Sequence, residues 1–202
     1  MDDEQMNTNI DTTKRYINDV LLPIVHACHE DLEGHLFMCD NFINKVKNLT
    51  TLVSDTKNKQ VMEIGFNAGF SAALILFSNP DVHLTCVDLG LHRYVHPCYQ
   101  KMKETFGDRI EMIIGDSTLT LPFLMNKQYD LIHIDGGHTH EVALSDVQNS
   151  YRLSKNETIL IMDDYDYPHL RTMWDEFVIS NKLISVENIY QTEYHNIKRV
   201  VK

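Results

Sequence analysis

From residue 60 onward one pattern repeats along this chain. A short apolar run closes on an acidic residue or a glycine, and an amphipathic stretch follows before the next run begins. Runs this short, rich in Val, Ile and Leu and separated by helix-length segments, are the mark of βαβ units, so the pattern predicts a doubly wound α/β fold with a mostly parallel sheet. The expected strands are residues 60–65, 83–88, 109–115, 129–135 and 158–163, with helices over 69–78, 96–106, 119–126 and 141–153. Beyond them Pro168 suits the first turn of a helix reaching about residue 180, with Asp166 placed to cap it. Two more β-rich runs, 183–190 and 195–201, are separated only by Gln191-Thr192-Glu193-Tyr194, which predicts an antiparallel hairpin. The expected sheet therefore has seven strands and an antiparallel strand at its C-terminal end.

Residues 1–58 carry no strand alternation. Tyr16, Val20 and Ile24, and then Phe42, Val46, Leu49 and Val53, recur at helical spacing, so two or three helices are expected to pack on the sheet or cap its crevice. With 202 residues and no Pro/Gly/Ser linker, the reading is one domain over 1–202, a helical cap at 1–58 joined to an α/β core at 59–202. A net charge of −11 with scattered basic residues argues against a grip on nucleic acid. No apolar run is long enough for a membrane helix and the start, Met1-Asp2-Asp3-Glu4, is unlike a signal peptide, so a cytoplasmic protein without membrane attachment is expected. Cys28, Cys39, Cys86 and Cys98 form no C-x-x-C pair and are expected to be free, mostly buried thiols.

In an open parallel sheet ligands sit beyond the C-terminal strand ends. Here those ends are acidic: Glu63-Ile64-Gly65, Asp88, Asp116, Asp135 and Asp163-Asp164. The first turn, running from Glu63 through Gly65, Asn67 and Gly69 to Ser71, spaces its glycines as E-x-G-x-x-x-G, which lacks the dinucleotide fingerprint but suits a smaller cofactor or a purely structural turn. Asp88 stands where a carboxylate closing the second strand accepts from ribose hydroxyls. Asp116 and Ser117 are placed for an adenine edge, or for capping the next helix through Thr120. Adjacent strands lie about 4.8 Å apart, so Asp135, Asp163 and Asp164 would meet at one edge and either raise one another's pKa or recruit a hard cation such as Mg²⁺. His138 could then take a proton or simply sit at the surface, and His133, inside its strand, reads as a core histidine. Tyr94, Tyr165, Tyr167 and Trp174 could line an acceptor pocket or serve as packing.

The segment Val61-Met62-Glu63-Ile64-Gly65-Phe66-Asn67-Ala68-Gly69-Phe70-Ser71-Ala72 resembles motif I of class I S-adenosylmethionine-dependent methyltransferases, nearest the catechol O-methyltransferase-like branch. Asp130-Leu131-Ile132-His133-Ile134-Asp135-Gly136-Gly137-His138-Thr139-His140-Glu141 resembles the I-D-G-x-H-x-Y-E segment of its small-molecule and sugar O-methyltransferases, and Ile161-Met162-Asp163-Asp164-Tyr165 resembles its metal motif. The likeness spans residues 60–180, with two departures: His140 stands for the usual aromatic residue and His138 for a lysine base. It implies Glu63, Gly65 and Ser71 around the methionine part of the donor, Asn67 and Gly69 also binding the donor, and Asp88 on its ribose. Asp116 and Ser117 would lie near adenine, and Asp135 beside the donor as well as on the metal. Mg²⁺ or Mn²⁺ would be held by Asp135, Asp163 and Asp164, with His138 and Asp135 catalytic.

The expected function is metal-dependent methylation of a hydroxyl on a small molecule, a sugar or glycoconjugate ahead of a catechol-like phenol. A homodimer is compatible with this reading. Two alternatives stay open: a non-methylating hydroxylase holding iron through His138, Asp135 and a further carboxylate, and a silent donor-binding module.

Overall fold

The computed structural model describes residues 1–34, 36–37, 40–55, 57–125 and 128–202. Its sheet contains β1 (Gln60–Ile64), β2 (His83–Asp88), β3 (Ile110–Ile114), β4 (Tyr129–Ile134), β5 (Ser154–Met162), β6 (Ile184–Ser185) and β7 (Asn196–Arg199). The seven strands run in the order β3-β2-β1-β4-β5-β7-β6. β1 to β5 pair in parallel, β7 is antiparallel to β5, and β6 is antiparallel to β7. This is the doubly wound α/β fold that the alternating pattern predicts. The strand order reverses at β1 and β4, which opens a crevice beyond their C-terminal ends.

Eight α-helices surround the sheet among the described residues: α1 (Asp3–Tyr16), α2 (Leu22–Ala27), α3 (Ile43–Val53), α4 (Phe70–Ser78), α5 (Val95–Phe106), α6 (Ser117–Thr120), α7 (His140–Leu153) and α8 (Pro168–Asn181). Alternate strand residues feed opposite faces. Val61, Leu131 and Ile161 join one apolar cluster with α4, α5 and the N-terminal helices, whereas Met62, Ile132 and Leu160 join another with α7 and α8. α4 is apolar on nearly every side because the sheet covers one face while α1 and α3 pack against another. α1 and α3 thus cover α4, and α3 is carried to the edge of the crevice. None of the helices among the described residues is long and apolar enough to cross a membrane.

Local signals explain the ends of the elements. Thr139 caps α7 by accepting from the Val142 N–H, and Glu141 and Arg152 sit at the ends where the helix dipole favours their charges. Pro168 occupies the first turn of α8, but the N-cap is Tyr167, without a side-chain hydrogen bond, so Asp166 is not the cap expected from sequence. The helix expected over 119–126 starts earlier and stops earlier: Asp116 caps α6 at Ser117, and a 3₁₀ turn, Leu121–Phe123, replaces its continuation at Pro122. Asn126 lies outside the described residues, as does Cys39. Cys28, Cys86 and Cys98 are free, and the last two are buried.

β5 begins at Ser154 rather than 158, with a register shift against β4 and Glu157 at φ 71°. The hairpin is antiparallel as expected, but β6 is much shorter than the run 183–190. Its chain leaves the ladder because Asn48 on α3 captures the Tyr190 backbone, donating to its C=O at 2.8 Å and accepting from its N–H at 2.7 Å. The pairing of Asn196 with Met162 and the Tyr165 N–H donating to the Tyr194 carbonyl set Tyr194 and His195 at the end of β5.

Candidate active site

A cleft of about 680 Å³ opens beyond the ends of β1, β2, β4 and β5 and is lined by residues from both the helical cap and the sheet. One end is shaped by main chain. Gly65, at φ +92°, lets the first turn pass so close to β4 that a Cβ there would stand 1.8 Å from the Asp135 carbonyl oxygen. Asp88 organises the same turn: its Oδ2 accepts from the N–H groups of Phe66 at 2.8 Å and Asn67 at 2.9 Å, and its Oδ1 accepts from Gly90 N–H at 2.7 Å. The Asp116 carboxylate accepts from the Thr118 N–H at 2.9 Å and hydroxyl at 2.7 Å, while its main-chain carbonyl accepts from the Thr120 hydroxyl at 2.8 Å, so it caps α6 through both threonines. Gly65, Asn67, Ser71, Asp88, Asp116 and Ser117 all line this end.

Two of the residues expected around the donor lie elsewhere. Glu63 is fully buried beneath the cleft, where its Oε1 is 3.1 Å from His133 Nδ1 and its Oε2 accepts from the Cys86 thiol at 3.8 Å. Period-two alternation sends its side chain into the sheet face packed against the helices, not over the strand end. Gly69 forms the αL turn before α4, crowded by Phe66 and Met102.

The other end is built from side chains. Asp135, Asp163 and Asp164 do converge on the cleft, together with His138, whose Nε2 lies 2.8 Å from Asp164 Oδ2. That pairing raises the His138 pKa despite some desolvation. Lys45, on α3, reaches across to Asp163 with Nζ 2.6 Å from Oδ1. Beneath them His133 Nε2 and His195 Nε2 stand 3.6 and 3.5 Å from Asp163 Oδ2. Burial alone would raise the Asp163 carboxyl, but His195, Lys45 and His133 outweigh it and hold it well below the usual range. The reverse holds for Asp135, which burial and the Asp163 charge push up. Burial would lower His133, yet the neighbouring Asp163 and Glu63 carboxylates carry it to about 10. A charged row therefore runs under the acceptor end, from Glu63 through His133 and Asp163 to Lys45.

The donor end fits S-adenosylmethionine. Asn67 Oδ1 is buried without a hydrogen-bond partner, while its amide nitrogen donates to the Glu33 carbonyl. An unsatisfied acceptor in the wall calls for a donor group from a ligand, as an amino-acid ammonium would supply. The acceptor end fits a divalent metal less well. Asp163 Oδ1 already takes Lys45 and the Asp164 N–H, its Oδ2 faces two imidazoles, and Asp164 Oδ2 holds His138. Both Asp163 oxygens and Asp164 Oδ2 are thus engaged, which leaves an octahedral Mg²⁺ fewer oxygen sites than three free carboxylates would offer. His133, Asp163 and His195 place three donor atoms within 4.8 Å of one another, a grouping different from the His138 and Asp135 pair of the hydroxylase alternative.

Sequence reasoning missed Lys45 and His195, and also Phe42 and Tyr194, whose rings meet edge to face at 4.8 Å at the acceptor end. None of the four lies within a motif. Of the aromatic set singled out from sequence, Tyr167 lines the cleft, stacking with His138 at 5.5 Å, whereas Tyr94 and Trp174 are core residues and Tyr165 bonds to Asp175. Asp166 also lines the cleft, with Oδ1 unpartnered.

Comparison with known proteins agrees with this architecture. The sequence model of the methyltransferase domain family matches residues 62–165, half of the chain, and covers the first turn, β4 and Asp163-Asp164. The chain belongs to that family. A catechol O-methyltransferase of Mycobacterium tuberculosis is 25% identical over 119 residues, 58% of this chain, and the match spans only 53% of that relative's length. An O-methyltransferase from Bacillus cereus in complex with S-adenosylhomocysteine superposes with a TM-score of 0.68 at 17% identity, covering 93% of this chain and 96% of that one. An S-adenosylhomocysteine-bound methyltransferase from Podospora anserina gives 0.67 at 14% identity, covering 100% and 97%. At these identities the likeness is one of fold.

Proposed function

We propose that this chain transfers a methyl group from S-adenosylmethionine to the oxygen of a small-molecule hydroxyl. A sugar or glycoconjugate is favoured over a catechol-like phenol. The observation that carries the reading is a single cleft whose one end is a glycine-turn wall with an unsatisfied Asn67 and whose other end holds His138 among carboxylates. The S-adenosylhomocysteine-bound relatives and the catechol O-methyltransferase support the same reading. Cap and core act as one unit, since both supply the walls.

When bound, the donor supplies an electrophilic methyl group on a sulfonium. Asn67 and Ser71 hold its amino-acid part, Asp88 its ribose, and Asp116 and Ser117 its adenine, with Asp135 between the two ends. Asp164 fixes the His138 ring by its bond to Nε2 and stabilises the imidazolium that forms when the histidine accepts the acceptor's proton. Asp135, whose carboxyl pKa is pushed up by burial and by the Asp163 charge, orients the acceptor hydroxyl. The exposed ring of Tyr167 and the carboxylates of Asp164 and Asp166 offer a stacking face beside hydroxyl acceptors, which is what favours a sugar.

The test is a screen of the purified chain with isotopically labelled donor against sugars and phenols, coupled to thermal melting with S-adenosylhomocysteine or NAD. Label on a hydroxyl oxygen and a melting shift specific to the adenosyl ligand are expected. An equal shift with NAD would sink the donor assignment. Binding with no transfer to any acceptor would favour the silent module, and label on phenols alone would overturn the sugar preference. His138→Ala should cut turnover by roughly 10²–10⁴-fold while leaving donor affinity unchanged.

A further inference from the structure

The acidic end of the cleft already contains a cation, and it belongs to the chain. Lys45 is buried along most of its length, its Nζ 2.6 Å from Asp163 Oδ1 and 5.0 Å from the centre of the Phe42 ring. A lysine on the surface of a helix gains nothing by giving up water unless a fixed anion receives it. Here the helix itself is held for the purpose. α3 is clamped to the segment before β7 by the two Asn48–Tyr190 bonds and by Asn44 Nδ2 donating to the Gln191 carbonyl at 2.7 Å. These contacts aim the side chain over the end of β5, into the space bounded by Asp163, Asp135 and Asp164. A divalent ion in that space would have to share Asp163 with an ammonium at hydrogen-bond distance, and the two cations would repel.

We propose that the Lys45 ammonium holds the place of a divalent cation in the acceptor site, so that methyl transfer here runs without metal. The inference rests on the methyl-transfer reading above. An ammonium has three N–H donors, of which Asp163 takes one, so Lys45 can also donate to the acceptor oxygen and stabilise the negative charge it develops. In the transfer the acceptor oxygen uses a lone pair to form the new O–CH₃ bond as the S–CH₃ pair returns to sulfur, and the hydroxyl proton passes to His138. Charge is balanced without metal: the sulfonium becomes a neutral thioether and the histidine takes up the positive charge.

Manganese binding separates this inference from the methyl-transfer reading because it requires no turnover. The full chain, saturated with S-adenosylhomocysteine, would be titrated with Mn²⁺ and followed by electron paramagnetic resonance, beside Lys45→Ala and Lys45→Met. We expect no stoichiometric Mn²⁺ in the wild type and its appearance in Lys45→Ala, where the carboxylates lose their internal partner. Lys45→Met fills the same space without the charge and checks that the site still forms. Once the screen has supplied an acceptor, wild-type turnover should be indifferent to EDTA and fall roughly 10²–10³-fold in Lys45→Met. Stoichiometric metal in the wild type, or turnover abolished by EDTA, overturns the proposal. So does the lack of Mn²⁺ in both wild type and Lys45→Ala, because the lysine would then hold no cation's place. If the variants do not fold, the wild-type titration decides alone. Failure to bind S-adenosylhomocysteine would instead count against the methyl-transfer reading.

Discussion

The two ends of the cleft are made differently. At the donor end one continuous stretch of chain, from β1 into α4, turns so that main-chain groups form the wall, and a single carboxylate, Asp88, ties it to the neighbouring strand. At the acceptor end side chains come from α3, from the ends of β4 and β5 and from the turn before β7, and they meet through charge. The first end is local and steric, whereas the second is distributed and electrostatic. Mutations should therefore fail differently at the two: a methyl group is enough to wreck the donor end, while the acceptor end tolerates changes in shape and responds to changes in charge.

The largest effect is expected at Gly65. Gly65→Val adds a side chain where even a Cβ would meet the Asp135 carbonyl oxygen at 1.8 Å, and it places a β-branched residue at φ +92°. Chemical denaturation should show a loss of more than about 4 kcal/mol, with donor binding abolished. A variant that folds and binds normally would break the claim that main chain builds this end.

Asp163→Ala comes next. It leaves Lys45 and His133 buried without their shared anion, and the expected cost is about 3–5 kcal/mol. Lys45→Met combined with Asp163→Leu, which removes both charges of that pair, should recover part of this loss. If the double variant were no more stable than Asp163→Ala, packing rather than charge would govern the acceptor end.

Asp88→Ala should be milder. Removing it leaves the N–H groups of Phe66 and Asn67 unpaired at a partly solvated site, which is expected to cost about 1–3 kcal/mol. Calorimetry should also find weaker donor binding, with Asp88→Asn intermediate because one oxygen survives.

The smallest expected effect is a pH dependence that separates cap from core. Glu30 bonds His92 Nδ1 at 2.7 Å and raises the imidazole pKa, tying the segment before α3 to the loop after β2 while the ring stacks on Tyr94 at 5.0 Å. Because the folded value lies above the unfolded one, this stabilisation is complete below the unfolded imidazole value and disappears as pH rises through the raised one. Limited proteolysis within residues 30–34 should therefore speed up as pH rises above the ordinary imidazole range, beyond the protease's own pH response. His92→Phe keeps the stack but not the pair and should remove the dependence. An unchanged profile in that variant would show that the pair does not hold the segment.

The amino-acid sequence by itself determined the fold class and the donor end. Short apolar runs with acidic ends, glycine spacing and caps such as Thr139 act within a few residues of where they stand in the chain, so their consequences can be read along it. Asp135, Asp163 and Asp164 were legible for the same reason, since neighbouring strand ends must meet. The face taken by Glu63 was open to the same reading, because alternation places it with Val61 on the side that packs against α4, α5 and the N-terminal helices. Only the tertiary structure decided what stands opposite the carboxylates. Lys45 sits 118 positions before Asp163 on a helix without a chemical motif, and His195 reaches Asp163 through the antiparallel register that sets Asn196 opposite Met162. A buried ion pair depends on where two elements come to rest, and no local pattern announces a charge whose partner lies across the fold.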